Sequence, residues 1–238
     1  MDNIEDFLAT RQPTAQRPLL GLTVLLVEDS RFACEAVRLM CMHSGARIRR
    51  ADTLMSARRH LSVYRPSVVI VDVGLPDGSG LNLLEMLVKS SPRIDVILGT
   101  SGDIEQEEAV LATGANGFLA KPLAHIGAFQ SAILAHLPQN RQPPGPRLVN
   151  ADPIEPDILA FHDDLSHVAE VLRGPQPDTA VDYVTQFLSG VARSADDVAL
   201  GRAVARLSKL REDGAPLHPG LTELAALVER RLSAGGPI

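Results

Sequence analysis

Four short stretches hold the side chains most able to do chemistry: the acidic pair Glu28-Asp29, the lone acid Asp72, the hydroxyl pair Thr100-Ser101, and Lys121 followed by Pro122. Three carboxylates brought together repel one another unless a cation joins them. An all-oxygen set with one or two direct carboxylates suits Mg²⁺, which keeps several waters and readily accepts a phosphate oxygen. A carboxylate oxygen can itself attack phosphorus. A metal ion and a lysine ammonium then neutralise the equatorial phosphoryl oxygens, and a hydroxyl adds a hydrogen bond. The residue types therefore point to phosphoryl transfer onto an aspartate. Asp72 is the expected nucleophile, Asp29 a direct metal ligand, Glu28 a ligand through water, and the Gly74 backbone carbonyl a further ligand.

Taken singly, each group has a plainer explanation: a helix cap, turn chemistry, a loop dipeptide. What joins them is their place in the hydrophobic pattern. LTVLLV, a weak strand over residues 47–50, SVVIVD, DVIL and GFLA read as five strands. Between and after them run helical stretches over about 30–43, 53–64, 81–90, 105–113 and 123–137, the second capped by Thr53. Continuous apolar strands imply burial on both faces, hence a parallel sheet covered by helices. The expected fold is α/β, a doubly wound five-stranded parallel sheet of order 2-1-3-4-5. Such sheets bind ligands beyond the carboxyl ends of their strands. Glu28-Asp29 ends the first strand, Asp72 the third and Thr100 the fourth, while Lys121 follows the fifth.

These stretches resemble the receiver domain of bacterial two-component response regulators over about residues 20–138. LLVEDSR, VVIVDVGLPDGSGLNLL, the Thr-Ser after strand four, and GFLAKP carry the resemblance. It implies Glu28 and Asp29 as the acidic pair, Asp72 as phospho-acceptor, Thr100 as switch hydroxyl and Lys121 as phosphate-binding lysine. Phe118 stands at the position of the switch aromatic, and Lys121-Pro122 at that of a cis peptide. One departure stands out. Thr100 lies one residue nearer Lys121 than the pattern has it; an ungapped match would put Gly99 there, and Ser101 is the alternative hydroxyl. A family member of this kind takes its phosphoryl group from a sensor histidine kinase, a phosphotransfer protein or a small phosphodonor. It signals through the face made by helix four, strand five and helix five.

The rest of the chain is organised more simply. Residues 1–20 read as an extension in which Ile4, Phe7 and Leu8 could form one amphipathic turn, and 21–138 as the receiver. Residues 139–153 are a proline-rich linker, 154–233 a separate all-α domain, and 234–238 a frayed tail. Helices are expected over about 155–173, 178–193, 196–213 and 219–233, with Asp178 and Asp196 as N-caps and Gly174 and Gly214 as stops. His162 and His167 invite a phosphotransfer reading. However, HVAEVLRG lacks the His-x-Leu-Lys-Gly pattern, and five residues on a helix turn two side chains about 140° apart.

Composition narrows the functional classes. The chain has 238 residues and a net charge of −6, −2 over residues 1–138 and −4 over 139–238. Neither half has the basic surplus usual for phosphate-backbone binding, so DNA is not the favoured partner. Arg47, Arg49, Arg50, Arg58, Arg59 and Arg65 do make a local basic cluster, read first as a solvated face. No apolar run reaches the ~18 residues of a membrane span, and no secretory signal is read at the N-terminus; a cytoplasmic protein is expected. Cys34 and Cys41 lie roughly 10 Å apart on one helix, too far to bridge, and read as buried free thiols. No enzymatic output motif is visible. The expected protein is a Mg²⁺-dependent response regulator whose helical domain binds a protein partner or dimerises. The alternatives are a DNA-binding regulator and a phosphorelay intermediate.

Overall fold

The computed structural model describes residues 12–145, 154, 157–174 and 178–234. The expected amphipathic turn at Ile4–Leu8, the stretch 146–153 of the linker and the tail 235–238 lie outside the described residues. Cα packing divides the chain into two compact units. The first comprises the residues up to Asp29 with Ala36–Glu155; the second comprises Ser30–Glu35 with the residues from Pro156 onward.

In the first unit five strands form one parallel sheet: β1 (Thr23–Val27), β2 (Arg47–Ala51), β3 (Val68–Asp72), β6 (Val96–Ser101) and β7 (Gly117–Ala120). The order β2-β1-β3-β6-β7 is the expected 2-1-3-4-5 once a small antiparallel hairpin, β4 (Gly74–Leu75) with β5 (Gly78–Ser79), is set aside. That hairpin was not anticipated. β3 is buried at every position and so is β6, as two-sided cover requires. Leu25, Val27, Val69, Val71 and Ile97 pack with α2 (Leu54–Val63), α3 (Gly80–Val88) and α4 (Gln106–Ala112). Their alternating neighbours Val24, Leu26, Ile70 and Leu98 point to the opposite face and are fully buried as well. There α5 (Ile126–Leu134) and the later part of α1 (Arg31–Ser44) are joined by a hydrogen bond from Gln130 to Ser44 of 2.9 Å.

Several boundaries differ from the pattern-based expectation, two of them with a visible cause. α5 starts at Ile126 rather than about residue 123, because Ala124 N–H closes a turn onto the Pro122 carbonyl; Lys121-Pro122 is cis, as the resemblance implied. Residues 139–141, expected at the head of an extended linker, form a 3₁₀ turn instead. Arg141 there bonds Asp95 at 2.5 Å and Ser67 at 3.1 Å, both groups at the start of the strands.

Among the described residues from 157 onward the second unit has four helices: α6 (Ile158–Arg173), α7 (Asp178–Ser194), α8 (Val198–Glu212) and α9 (His218–Ala234). Each packs on the next, and α9 returns to α6, which makes a four-helix bundle. Its core holds Phe161, Leu165, Val168, Leu188, Val191, Leu200, Val204, Leu224 and Val228, together with Phe32 from the Ser30–Glu35 segment. Phe32 meets Phe161 edge to face with ring centroids 5.8 Å apart. Asp164 is buried in the same unit and accepts from Ser30 Oγ at 2.7 Å, Arg31 N–H at 2.7 Å and Phe32 N–H at 3.1 Å. Gly174 and Gly214 end α6 and α8 as expected, Gly214 with a φ of +65°. The expected cap at Asp196 is corrected to Asp197. Asp196 itself turns out of α7 with a φ of +53°, so the following carboxylate faces the Leu200 N–H at 3.0 Å. Asp178 opens α7, but its side chain lies outside the described residues. Among the described residues no helix is long and apolar enough to cross a membrane.

Candidate phosphoryl-accepting site

Apart from Phe118, which lies within β7, the predicted site residues Glu28, Asp29, Asp72, Gly74, Thr100, Ser101 and Lys121 lie at the carboxyl edge of the sheet or in the loops leaving it. Parallel register places Asp72 directly opposite Thr100, and Thr100 opposite Leu119. Carboxylate oxygens of Glu28, Asp29 and Asp72 all lie within 4.8 Å of one another. Glu28 and Asp72 are buried, and Asp29 is half-buried.

Lys121 joins this cluster from the end of β7. Its ammonium lies 2.6 Å from Glu28 and 3.1 Å from Asp72, and its side chain is 5% exposed. Burial works against the charge on Lys121, but the Asp72 and Glu28 carboxylates outweigh it and raise the lysine pKa. Glu28 goes the other way from an exposed acid. Its burial is the largest influence and raises its carboxyl above the usual range; Lys121 opposes this, and Asp72 and Asp29 add to it. Carboxylates clustered in this way repel one another, a condition that a divalent cation relieves. Three carboxylate oxygens this close, all hard donors, fit Mg²⁺.

Thr100 is fully buried, and its hydroxyl donates to the Leu119 carbonyl at 2.7 Å. The neighbouring Gly99 side is closed, since a Cβ there would lie 2.5 Å from Val110. Register pairs Thr100 with Asp72, the expected acceptor, despite the short spacing to Lys121. Ser101 is also buried, but its oxygen accepts from Asp103 N–H at 3.0 Å and serves the loop. Phe118 is half-buried and packs against the cluster beneath α2, α3 and α4. Gly74, the expected carbonyl ligand, sits in the short hairpin two residues past Asp72.

Three contributors were not singled out from sequence. Gly80 opens α3 so close to the acceptor strand that a Cβ would fall 2.0 Å from the Asp72 carbonyl oxygen. The DGSG run was its visible signal. Asp77 reaches out of the same loop and accepts from Leu54 and Met55 N–H at 2.8 and 3.0 Å, tying the loop to the start of α2. The Leu119 carbonyl, as partner of Thr100, leaves no trace in side-chain identity. His162 and His167 belong to the second unit. His167 contacts Tyr183 at 3.3 Å and stacks edge-on with Phe187, while His162 keeps a buried ring Nε2 without a hydrogen-bond partner among the described residues.

A doubly wound parallel sheet with clustered carboxylates and a lysine at its carboxyl edge defines an α/β domain built to handle an anionic group and a cation. Residues 24–132 match the response regulator receiver domain family, and this part of the chain is a receiver domain of the two-component type. Over 138 residues the chain is 28% identical to the virulence transcriptional regulatory protein PhoP of Salmonella typhi, covering 58% of this chain and 61% of PhoP. It is likewise 28% identical to the KDP operon transcriptional regulatory protein KdpE of Escherichia coli, with the same coverage. The chain thus spans about three fifths of the length of these curated relatives. A solved response regulator protein from Burkholderia pseudomallei is 26% identical, with a TM-score of 0.42 over 47% of this chain and 66% of that one.

Proposed function

We propose that the chain is a response regulator that accepts a phosphoryl group on Asp72 with Mg²⁺ as cofactor. The observation that carries this reading is Lys121 held between Glu28 and Asp72, with Asp29 completing the acidic cluster. An Asp72 carboxylate oxygen attacks phosphorus, and the bond from phosphorus to the donor's nitrogen or oxygen breaks. Asp29, Asp72 and the Gly74 carbonyl would hold the metal, with Glu28 bonding its water. When bound, Mg²⁺ supplies neutralisation of the phosphoryl oxygens. Lys121 offers its ammonium to the same oxygens. Thr100 exchanges its bond to Leu119 for one to the phosphoryl group, Phe118 repacks, and the surface made by α4, β7 and α5 changes.

The donor is a sensor histidine kinase, a phosphotransfer protein or a small phosphodonor, and the protein acts in the cytoplasm without an enzymatic output. The helical unit serves as a protein-interaction or dimerisation module. A second reading, DNA binding, draws on the transcriptional role in the names of PhoP and KdpE. Against it stand the arginines of α8, of which Arg206 and Arg211 are spent on Glu223 and Asp182. Incubation with acetyl phosphate and Mg²⁺ should add one phosphoryl mass to the wild type and none to Asp72→Asn. A wild type that gains no mass, where a control receiver does, overturns the proposal. Salt-dependent DNA binding that tightens on phosphorylation would favour the second reading.

A further inference from the structure

The helical unit treats its exposed charges in two ways. Three arginines pair across helices: Arg173 with Glu229 at 2.5 Å, Arg206 with Glu223 at 2.8 Å, and Arg211 with Asp182. Along one groove the charges do not. This groove, of about 510 Å³, runs beside α8 where it packs on α7. Four charged groups line it, Arg193, Lys209, Glu212 and Asp213, and none makes an ion pair among the described residues. All four are exposed.

We propose that this groove docks the same groove of a second copy of the chain, the two α8 helices lying antiparallel about a two-fold axis near Ala205. The charge pattern selects this occupant. α7 and α8 are joined by only Ala195–Asp197, so Arg193 lies beside the first turns of α8, whereas Glu212 and Asp213 close its far end. An antiparallel copy sets Arg193 of each chain against Glu212 and Asp213 of the other, which is the self-complementarity a two-fold interface needs. A polyanion gains nothing from a groove holding both signs.

Spacing and shape agree with that arrangement. Val198, Gly201, Ala205, Ser208 and Glu212 recur at intervals of three and four, the repeat of a helix–helix seam. Val198 at one end is 58% exposed. The middle of the seam carries only small side chains, and a Cβ at Gly201 would find nothing nearer than Ala192 at 3.9 Å. Two backbones can therefore approach closely.

The test is light scattering and sedimentation of the full chain, without phosphodonor, from low to high micromolar concentration; repeating it on Asp72→Asn separates this proposal from the phosphorylation reading. A concentration-dependent dimer is expected. Glu212→Arg and Arg193→Glu should each raise its dissociation constant by roughly tenfold or more. The double exchange should return it to within about threefold of wild type. Ala205→Trp, with helix content checked by circular dichroism, should give a monomer. A monomeric wild type throughout the range overturns the proposal, as does a dimer indifferent to Ala205→Trp. A dimer broken by Ala205→Trp but unmoved by either charge reversal refutes the antiparallel register.

Discussion

Lys121 and Gly80 show how little freedom single positions have around Asp72. Lys121 is the sole cation bonded at 2.6 and 3.1 Å to the buried carboxylates of Glu28 and Asp72 among the described residues. Removing it leaves two desolvated acids facing each other, and breaking a buried pair in this way costs about 3–5 kcal/mol. Lys121→Ala should therefore lower the urea midpoint by a corresponding amount, and added Mg²⁺ should recover part of the loss. At Gly80 the constraint is steric. An alanine methyl would stand 2.0 Å from the Asp72 carbonyl oxygen, a backbone atom that cannot swing aside. Gly80→Ala should cost at least about 1–3 kcal/mol in chemical denaturation and also displace the acceptor strand end.

Among the elements, α8 has the most demanding anchor. Its cap Asp197 is buried and also receives Arg231 of α9 at 2.6 and 3.1 Å. Burial pushes the Asp197 carboxyl upward, but hydrogen bonds from Arg231 and the Leu200 N–H, with the arginine charge, outweigh it and hold the pKa below the ordinary value. A depressed folded pKa means stability that is complete above about pH 4 and fades as pH falls through the lower folded value. Helix content followed during acid titration should show this loss for the wild type and not for Asp197→Asn. The strands were legible in sequence because the runs VVIV of β3 and VIL of β6 are continuously apolar, as cover on both faces requires. The cap was not: Asp196 and Asp197 are the same residue type, and only the positive φ at Asp196 decides between them. Helix boundaries near Pro122 escaped the pattern for a similar reason, since the turn there is set by backbone bonds.

For the whole molecule, ligand linkage and thiol access give tests that need no partner. A cation that binds the folded receiver and not the unfolded chain stabilises it by about 2.7 kcal/mol at a hundredfold excess over its dissociation constant. Mg²⁺ should accordingly raise the melting temperature, EDTA reverse the rise, and Asp29→Asn abolish it. Cys34 and Cys41 are both buried and unbridged, and burial pushes the Cys41 thiol up to about 12. Thiol reagents should label neither until the protein unfolds. That Glu28-Asp29, Asp72 and Lys121 meet at one sheet edge could be read from their strand ends alone, because topology fixes where strand ends meet. The resting partner of Thr100 could not, because it is a main-chain oxygen on Leu119. That bond has a consequence for signal quality. A buried hydroxyl with no acceptor would sample the acceptor side on its own and generate background output. Thr100 is already satisfied at 2.7 Å, so under the switch role proposed for it a phosphoryl group must outcompete an existing bond, and the unphosphorylated protein should be quiet.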